Sequence, residues 1–207
     1  MINLGGTKVA GLLPNRLIAT KGPKGSMTLY LTFDDGPHLE YTLKLCDLLE
    51  KFDAKATFFC IGRNITRYPD IARKVLERGH LIANHSDTHE CFSNQPLRKQ
   101  LNEIKGCQSK ITRLKPSTSR IFRAPEGKLN LSLLWQLKLK KWDIIHWSYD
   151  SMDFKKLPLE SQLTLFRNEP VTDGDILLFH DDNQLAIDLL EILLPEWMEQ
   201  GFRFGSL

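Results

Sequence analysis

Two pairs of side chains in this chain could together bind a metal ion. Asp34 and Asp35 are adjacent at the end of a β-forming run, 29–33, and a Gly-Pro turn signal follows them. Adjacent carboxylates repel each other, so a strand end that holds both needs a positive charge nearby or a shared proton. A metal ion is one source of that charge. In the alternative interpretation, the two carboxylates only cap the next helix.

His85 and His89 form the second pair, four residues apart. On one helical turn this spacing points both imidazoles the same way, within reach of one ion. One of the two carboxylates would complete a two-histidine, one-carboxylate site with open positions. Zinc in such a site lowers the pKa of a bound water to about 7 and supports hydrolysis, whereas ferrous iron supports oxygenase chemistry. The surplus of acid and base groups in the chain favours hydrolysis.

The elements that would position these residues alternate between strands and helices. Strands are predicted at 29–33, 56–61, 81–83, 121–122, 143–147, 176–179 and 202–204, and helices at 42–52, 69–78, 96–114, 131–139, 159–166 and 184–200. This alternation gives right-handed crossovers and parallel strands, and strands that are apolar throughout are covered on both faces. We therefore predict an α/β fold, a distorted (β/α)7 barrel that is TIM-barrel-like with parallel strands.

Ionisable residues directly follow five of the seven predicted strands. The carboxyl ends of parallel strands meet at one mouth of a barrel, where catalytic groups sit. The residues are Asp34, Asp35, His85, Asp87, His89, Arg123, Asp150, Asp153 and His180. Any one of them could be a helix cap or a surface charge, but chance is a poor explanation for all five strand ends.

Composition and charge argue against several classes of protein: nucleic-acid-binding proteins, zinc fingers and membrane-spanning proteins. The net charge of +3 is small and no basic stripe is interleaved with aromatic residues, so we expect no nucleic-acid partner. The four cysteines contain no Cys-x-x-Cys pair, which argues against a zinc finger, and Cys46 and Cys60 are predicted to be small buried hydrophobes. No apolar run approaches the ~20 residues of a membrane span and no signal-peptide core is found, so we expect a cytoplasmic protein.

We predict two parts in the chain, an N-terminal arm at 1–26 and one main domain at 27–207. The arm is rich in glycine and places basic residues among leucine and isoleucine. We expect it to pack on the domain. A peripheral contact with the inner membrane face is the weaker alternative, because one short basic and apolar segment binds lipid poorly alone.

Five motifs, in order, give the chain a resemblance to the polysaccharide deacetylases of carbohydrate esterase family 4, the NodB-homology domain. The motifs lie at 32–35, 85–89, 123–127, 150–154 and 178–180, and the similarity extends over about 28–204. Each motif alone is unspecific, but the combination is highly specific. The resemblance implies that the main domain is catalytic and removes an acetyl group from an N-acetylated sugar.

The resemblance assigns three residues to a metal ion. Asp35, His85 and His89 would bind one divalent ion, usually zinc and sometimes cobalt or nickel. A backbone N–H near Glu126 would join the metal in stabilising the oxyanion that forms when water attacks the acetamide carbonyl. Leu178 would line the pocket for the acetyl group.

The resemblance assigns proton transfer to four more residues. Asp34 would be the general base for the attacking water, and Arg123 would pair with it and hold it ionised. His180 would be the general acid that protonates the leaving amine. Asp153 would orient His180 and raise its pKa, so that the imidazole carries a proton near neutrality.

Two positions depart from the family pattern. Glu126 stands where the third motif usually has an aromatic residue, and Phe154 replaces the usual tryptophan. The backbone donor survives the first change but an aromatic wall does not. Glu126 could hydrogen-bond a sugar hydroxyl, hold the product ammonium or face solvent. We interpret the change as an altered substrate rather than lost activity, because the metal ligands, base and acid are intact.

The remaining histidines and the tryptophans have plainer interpretations. His38 could line the rim of the cleft or lie in a surface loop, His80 serves the loop before the third strand, and His146 is a core or barrel-wall residue. Trp147 is near enough to the mouth to stack on a sugar. Three tryptophans are predicted to lie in the core: Trp135, Trp142 and Trp197.

The predicted function is metal-dependent removal of the N-acetyl group from an amino sugar in a glycan or glycan precursor. With a cytoplasmic location, we expect a lipid-linked or nucleotide-linked intermediate of surface polysaccharide assembly as substrate. The alternatives are hydrolysis of a non-sugar amide or an O-acetyl ester on the same fold, a catalytically silent carbohydrate-binding domain, and an iron oxygenase.

Overall fold

The computed structural model describes residues 17–116 and 119–207, apart from the side chain of Asn94. Eight strands in these residues form one sheet, which curls into a half-barrel with all pairings parallel. They are β1 (Thr28–Asp34), β2 (Thr57–Cys60), β3 (Leu81–Asn84), β4 (Ile121–Phe122), β5 (Asp143–Ile144), β6 (Tyr149–Asp150), β7 (Ile176–His180) and β8 (Arg203–Gly205). Their order is β5-β4-β3-β2-β1-β7-β6, with β8 beside β1. The predicted α/β class with parallel strands is confirmed.

Seven α-helices lie in the described part of the chain. They are α1 (Tyr41–Lys51), α2 (Gly62–Arg67), α3 (Pro69–Glu77), α4 (Leu97–Leu114), α5 (Leu131–Leu139), α6 (Leu159–Asn168) and α7 (Gln184–Glu199). Six of them lie where the apolar spacing predicts them. The sequence does not predict α2, which is short and contains two β-branched residues, both weak helix formers. Its first two N–H groups donate to the carbonyls of Ser86 and Asp87, at 3.0 and 2.9 Å, and these bonds hold the helix in place.

The central strand, β1, pairs with β2 and β7, and its register determines which residues lie opposite one another at the carboxyl end of the sheet. Its residues from Leu29 onward are buried, as expected for a strand covered on both faces. In the register with β7, Asp34 lies opposite His180, and in the register with β2 it lies opposite Phe59. β8 pairs only with the first three residues of β1, below the point where β2 begins. The strand register therefore places Asp34 and His180 side by side at the carboxyl end of the sheet.

The fifth predicted strand, 143–147, is interrupted, so that prediction is wrong. β5 ends at Ile144 at one end of the sheet, and β6 begins at Tyr149 at the other end, beside β7. Between them the backbone bonds to the N-terminal arm: Ala19 N donates to Ile144 O at 2.9 Å, and His146 N donates to Ala19 O at 2.8 Å. The apolar run pairs with the arm instead of continuing in the sheet.

The core lies between the sheet and its helices, and it contains most of the aromatic residues predicted there. Trp142 and Trp197 are buried as predicted, and so are Cys46 and Cys60. Trp135 is 61% exposed, so its predicted core position is wrong. The reason is that α5 buries its opposite face, which carries Leu133, Leu134 and Leu137.

Residues 17–26 of the predicted arm pack on the domain. Ile18 is fully buried in a cluster with Phe92 and Phe122. Membrane contact is predicted for the whole arm, and residues 1–16 of it lie outside the described residues. In the ranges that are described, none of the helices combines the length and the apolar character that a bilayer crossing requires.

Candidate active site

A cavity of about 370 Å³ opens at the carboxyl ends of the strands, where the sequence predicts a site. Nine of the eleven predicted site residues line it: Asp34, Asp35, His85, His89, Glu126, Trp147, Phe154, Leu178 and His180. The other two, Arg123 and Asp153, are fully buried behind its wall. Each of these two contacts a residue that lines the cavity.

Asp35, His85 and His89 bring three ligand atoms within 4.8 Å of one another. Nε2 of His89 lies 3.2 Å from Asp35 Oδ1, and Nε2 of His85 lies 3.6 Å from the same oxygen. Asp35 Oδ1 is buried and has no hydrogen-bond partner among the described residues. A divalent cation would satisfy a buried carboxylate oxygen that lacks a donor and faces two imidazole nitrogens.

The protonation of His85 supports the same conclusion. Its Nδ1 lies 2.9 Å from the carbonyl oxygen of Arg123, which can only accept, so Nδ1 carries the proton. Burial lowers the pKa of His85 below its ordinary value and keeps the ring neutral. Nε2 therefore turns a lone pair toward Asp34 Oδ2 and Asp35 Oδ1, at 3.5 and 3.6 Å. These electron-rich atoms repel each other unless a cation lies between them, so the residues fit a metal ion.

The segment that carries the two histidines is a loop, so the predicted helical turn is wrong. Ser86 and His89 have φ values of 65° and 62°, which a right-handed helix excludes. Ser86 N donates to Asn84 Oδ1 and His89 N donates to Ser86 Oγ, both at 3.0 Å. Glu103 on α4 accepts from the N–H and the hydroxyl of Thr88. These local bonds, instead of helical spacing, place the two imidazole centroids 5.0 Å apart.

Asp34 is held by a buried ion pair. Arg123 Nη1 donates to Asp34 Oδ1 at 2.7 Å and to Thr32 Oγ1 at 2.8 Å, and Nη2 donates to the carbonyl of His146 at 3.1 Å. The guanidinium also lies over the ring of Phe59, 4.0 Å from its centroid. Burial alone raises the pKa of Asp34, but the charge and hydrogen bond of Arg123, together with the neighbouring histidines, outweigh burial and the pKa falls below its ordinary value. Asp34 is therefore ionised and able to accept a proton.

His180 is bound to a buried carboxylate. Asp153 Oδ1 lies 2.7 Å from His180 Nδ1, and Asp153 Oδ2 accepts from the backbone N–H of His180 at 2.8 Å. The hydroxyl of Ser151 also donates to Asp153 Oδ1, at 3.0 Å. Burial lowers the pKa of His180, but the hydrogen bond and charge of Asp153 outweigh it, with help from Asp34, and raise the pKa to about 10. His180 therefore carries a proton at neutral pH.

The wall and rim of the cavity combine apolar and charged groups. Trp147 and Leu178 are buried, whereas Phe154 is half exposed with its ring edge-on to His180, at a centroid distance of 5.7 Å. The backbone of Glu126 is left-handed, with φ of 55°.

Two lining residues are absent from the predicted site, Lys128 and Asp150. Lys128 forms an ion pair with Glu126, and its hydrogen bond lowers the pKa of that carboxyl. Burial raises the pKa of Asp150. Asp150 could have been found, because it is one of the ionisable residues at a strand end. No sequence signal distinguishes Lys128 from other surface lysines.

The other histidines lie outside this cavity. His38 lines a neighbouring cavity, whose wall also contains Asp35 and His89. His80 is structural, since its Nδ1 accepts from Ala56 N at 3.3 Å and burial lowers its pKa to about 4. His146 is buried, as expected of a wall residue, but it lies in the segment after β5 and not within a strand.

Similarity to a known family agrees with this geometry. A family model described as polysaccharide deacetylase matches residues 21–143, which is more than half of the chain. The chain belongs to the polysaccharide deacetylase family. The matched range includes the predicted metal ligands together with Asp34 and Arg123, and the resemblance seen in the motifs is confirmed.

Individual relatives extend the similarity over nearly the whole chain. A peptidoglycan-N-acetylglucosamine deacetylase of Bacillus cereus is 33% identical over 202 residues, which are 95% of this chain and 93% of the relative. The solved Bc1960 peptidoglycan N-acetylglucosamine deacetylase, in complex with 4-naphthalen-1-yl-N-oxidanyl-benzamide, has a TM-score of 0.87 at 29% identity and covers 92% of this chain and 91% of its own. These relatives confirm the predicted distorted (β/α)7 barrel and a polysaccharide deacetylase enzyme.

A more distant neighbour shows the fold alone. A carbohydrate esterase family 4 pseudoenzyme from Bacillus anthracis has a TM-score of 0.84 at 22% identity, covering 92% of this chain and 67% of the neighbour. The same barrel therefore also occurs in a protein described as a pseudoenzyme, and the activity of this chain must be judged from its site residues.

Proposed function

We propose that this protein is a metal-dependent deacetylase that removes the N-acetyl group from an amino sugar of a glycan. The observation that carries the proposal is that one cavity joins the Asp35, His85 and His89 cluster to an ionised carboxylate and a protonated imidazole. The carboxylate of Asp34 and the imidazole of His180 are on opposed residues of neighbouring strands. Amide hydrolysis requires such a base, such an acid and a positive group for the developing oxyanion.

Asp35, His85 and His89 would hold the metal ion, and two nitrogen ligands with one carboxylate favour zinc. When bound, such an ion supplies Lewis acidity, which polarises a carbonyl and lowers the pKa of water. The compound bound to the solved relative contains an N-hydroxyamide, a group that chelates divalent metals, which supports the proposal. Cobalt and nickel are the alternative ions, and loading the protein with each in turn distinguishes them.

The proton transfers fall to residues of the chain itself. Asp34 accepts a proton from the water whose oxygen attacks the acetamide carbonyl carbon. When the C–N bond breaks, His180 donates a proton from Nε2 to the leaving nitrogen, because its Nδ1 is bound to Asp153. The products are acetate and a free amine on the sugar. The opposite pKa shifts of Asp34 and His180 keep the base ionised and the acid protonated at the same pH.

The lining of the cavity supports a sugar as substrate. Leu178 and Trp147 offer apolar surface for an acetyl methyl group and for the face of a sugar ring, and Phe154 adds an exposed aromatic ring at the mouth. The names of the relatives make N-acetylglucosamine in peptidoglycan the first candidate. Lipid-linked and nucleotide-linked precursors, and a cytoplasmic location, stay predictions that substrate panels and cell fractionation test.

The test is acetate release from N-acetylglucosamine oligomers, peptidoglycan fragments, and lipid-linked or nucleotide-linked N-acetylhexosamines, with zinc-loaded protein. We expect release that a chelator stops and that Asp34→Asn lowers at least ~100-fold in kcat, because a general base contributes at least that factor. The matched control is Asp143→Asn, the same change at an exposed residue. Release that survives metal removal or Asp34→Asn would contradict the proposal.

The same panel separates the alternatives. O-acetylated sugars and N-acetylated non-sugar amines test the other hydrolases, and dependence on oxygen tests the oxygenase. Binding of glycans without release of acetate from any of them would instead support the silent carbohydrate-binding domain.

A further inference from the structure

A second cavity, of about 320 Å³, adjoins the metal-ligand cluster. Asp35 and His89 line both this cavity and the candidate active site. Its outer wall comes from α2, through Arg63 and Arg67, and we call the cavity the arginine groove. Its volume falls within the range of ~300–1,000 Å³ that is usual for pockets that bind small molecules. A glycan whose reacting sugar lies at the metal ligands could therefore extend into it.

The charges of the groove favour an anion. Arg63 and Arg67 are four residues apart on one helix, so they lie on the same face, and both are exposed. The guanidinium of Arg67 lies 5.1 Å from the ring centroid of Tyr68, but within the described ranges neither arginine is in an ion pair. Apart from Asp35, the one acidic residue in the lining is Asp182. Two guanidinium groups thus share the lining with the carboxylate of Asp182, whose Oδ1 accepts from the side-chain amide of Asn183 at 3.0 Å.

The helix that carries the arginines is tied to the candidate active site. Arg63 N donates to the carbonyl of Asp87, in the loop between the two histidines, at 2.9 Å. The side-chain amide of Asn64 donates to the carbonyl of Asp35 at 2.7 Å. Ile65 is buried and anchors the helix in the core. Because of these contacts, the distance between the arginines and the metal ligands is set by the fold.

We propose that the arginine groove binds an anionic group, a carboxylate or a phosphate, on the glycan beside the sugar that is deacetylated. A guanidinium matches the planar carboxylate and the phosphate with two parallel hydrogen bonds, which makes arginine suited to both. This inference rests on the proposed function, since it assigns a second part of the same substrate. It makes the protein selective for acidic glycans over neutral ones.

The test compares four tetrasaccharides with wild-type protein and with the Arg63→Gln/Arg67→Gln variant. They are neutral N-acetylglucosamine tetramer, a peptidoglycan tetrasaccharide whose alternate sugars carry a lactyl carboxylate, its methyl ester, and a 6-phosphorylated N-acetylglucosamine tetramer. For wild type we expect higher kcat/KM with a charged substrate than with its neutral counterpart, and the carboxylate and phosphate arms show which anion is preferred. We call kcat/KM for a charged tetrasaccharide divided by kcat/KM for its neutral counterpart the charge ratio. In the double variant this ratio should fall about tenfold, because each lost charged hydrogen bond weakens binding.

Two further variants make the test specific. Arg113→Gln makes the same change of charge at an exposed residue of α4 outside the groove and should leave the ratio at its wild-type value. Asp182→Asn removes the negative charge of one of the two acidic residues in the groove lining and should raise the ratio. A ratio in the double variant equal to that of Arg113→Gln would overturn the proposal.

Direct binding separates this inference from the proposed function. Calorimetric affinities of the same tetrasaccharides are measured with zinc-loaded His180→Ala protein, or with wild type if it releases no acetate. Tighter binding of the charged tetrasaccharides that is lost in the double variant supports the groove even if the enzymatic proposal fails. Equal affinity for charged and neutral tetrasaccharides overturns the groove even if acetate is released.

Discussion

Arg123 Nη1 lies 2.7 Å from Asp34 Oδ1, and the two side chains are 0% and 5% exposed. The same guanidinium donates to Thr32 on β1 and to the carbonyl of His146 after β5, so it joins distant parts of the sheet. Both charged side chains are shielded from water, and the charge of each is stable in the protein interior only because the other is present. The position and the charge of the proposed base therefore depend on one arginine.

We expect Arg123→Met to lower the free energy of unfolding by about 3–5 kcal/mol, because Asp34 would be left buried without its partner. Asp34→Asn should also be costly, and the double variant should cost less than the sum of the two, since it removes both charges. Urea unfolding measures all three values. Arg113→Met, at an exposed residue, is the matched control. A cost no larger than that of the control, or strictly additive costs, would contradict the coupling.

Replacing Asp153 with asparagine should move the alkaline limit of activity to lower pH. Asp153 raises the pKa of His180 to about 10 against the effect of burial, and the proposed acid works only while protonated. Activity therefore falls as the pH rises through the pKa of His180, and that pKa drops when the carboxylate charge is lost. The measurement is kcat against pH for Asp153→Asn and for Asp143→Asn as control. An unchanged alkaline limit in Asp153→Asn would remove Asp153 from this role.

The stability of the protein should fall with rising pH through a buried carboxyl group, Asp181. Burial raises its pKa to about 8, Oδ1 has no hydrogen-bond partner among the described residues, and Oδ2 accepts from the hydroxyl of Thr42 at 2.5 Å. An unfolded aspartate ionises near 3.9, so from about pH 4 to pH 8 the folded state keeps a proton that the unfolded state has lost. Each pH unit in this window lowers the stability by up to about 1.4 kcal/mol. Asp181→Asn cannot titrate, so its unfolding free energy relative to wild type should rise across the window, and a constant difference would refute the assignment.

The fold could be predicted from the sequence where one strong physical constraint acts on each segment. The run 29–33 consists of β-forming residues and carries no charge on either face, as expected of a central parallel strand, and the adjacent carboxylates mark its carboxyl end. Because parallel strands end at one edge of the sheet, the sequence predicts that Asp34 and His180 lie close together, and they lie opposite each other.

Elsewhere the structure depends on contacts that no local pattern contains. Helix α2 forms because the loop at 86–87 accepts its first N–H groups. The run 143–147 has the composition of a strand, but Ala19 of the arm pairs with it after Ile144. His85 and His89 converge through a loop held by Glu103, eighteen and fourteen residues further along the chain. The spacing of apolar residues in the sequence does not reveal such hydrogen bonds between distant residues, and it does not reveal the position of Lys128.

Zinc should stabilise this protein, and His89→Ala should abolish most of that effect. Asp35 Oδ1 and the Nε2 atoms of the two histidines converge without a donor between them, so a cation that binds there stabilises the folded state alone. At a free concentration 100 times Kd the gain is about 2.7 kcal/mol, which a thermal-unfolding experiment detects as a higher Tm after zinc is added to chelator-treated protein. His38→Ala is the matched control, because this histidine lies near the site but outside the ligand cluster. An equal rise in Tm for His89→Ala and wild type would show that zinc binds elsewhere.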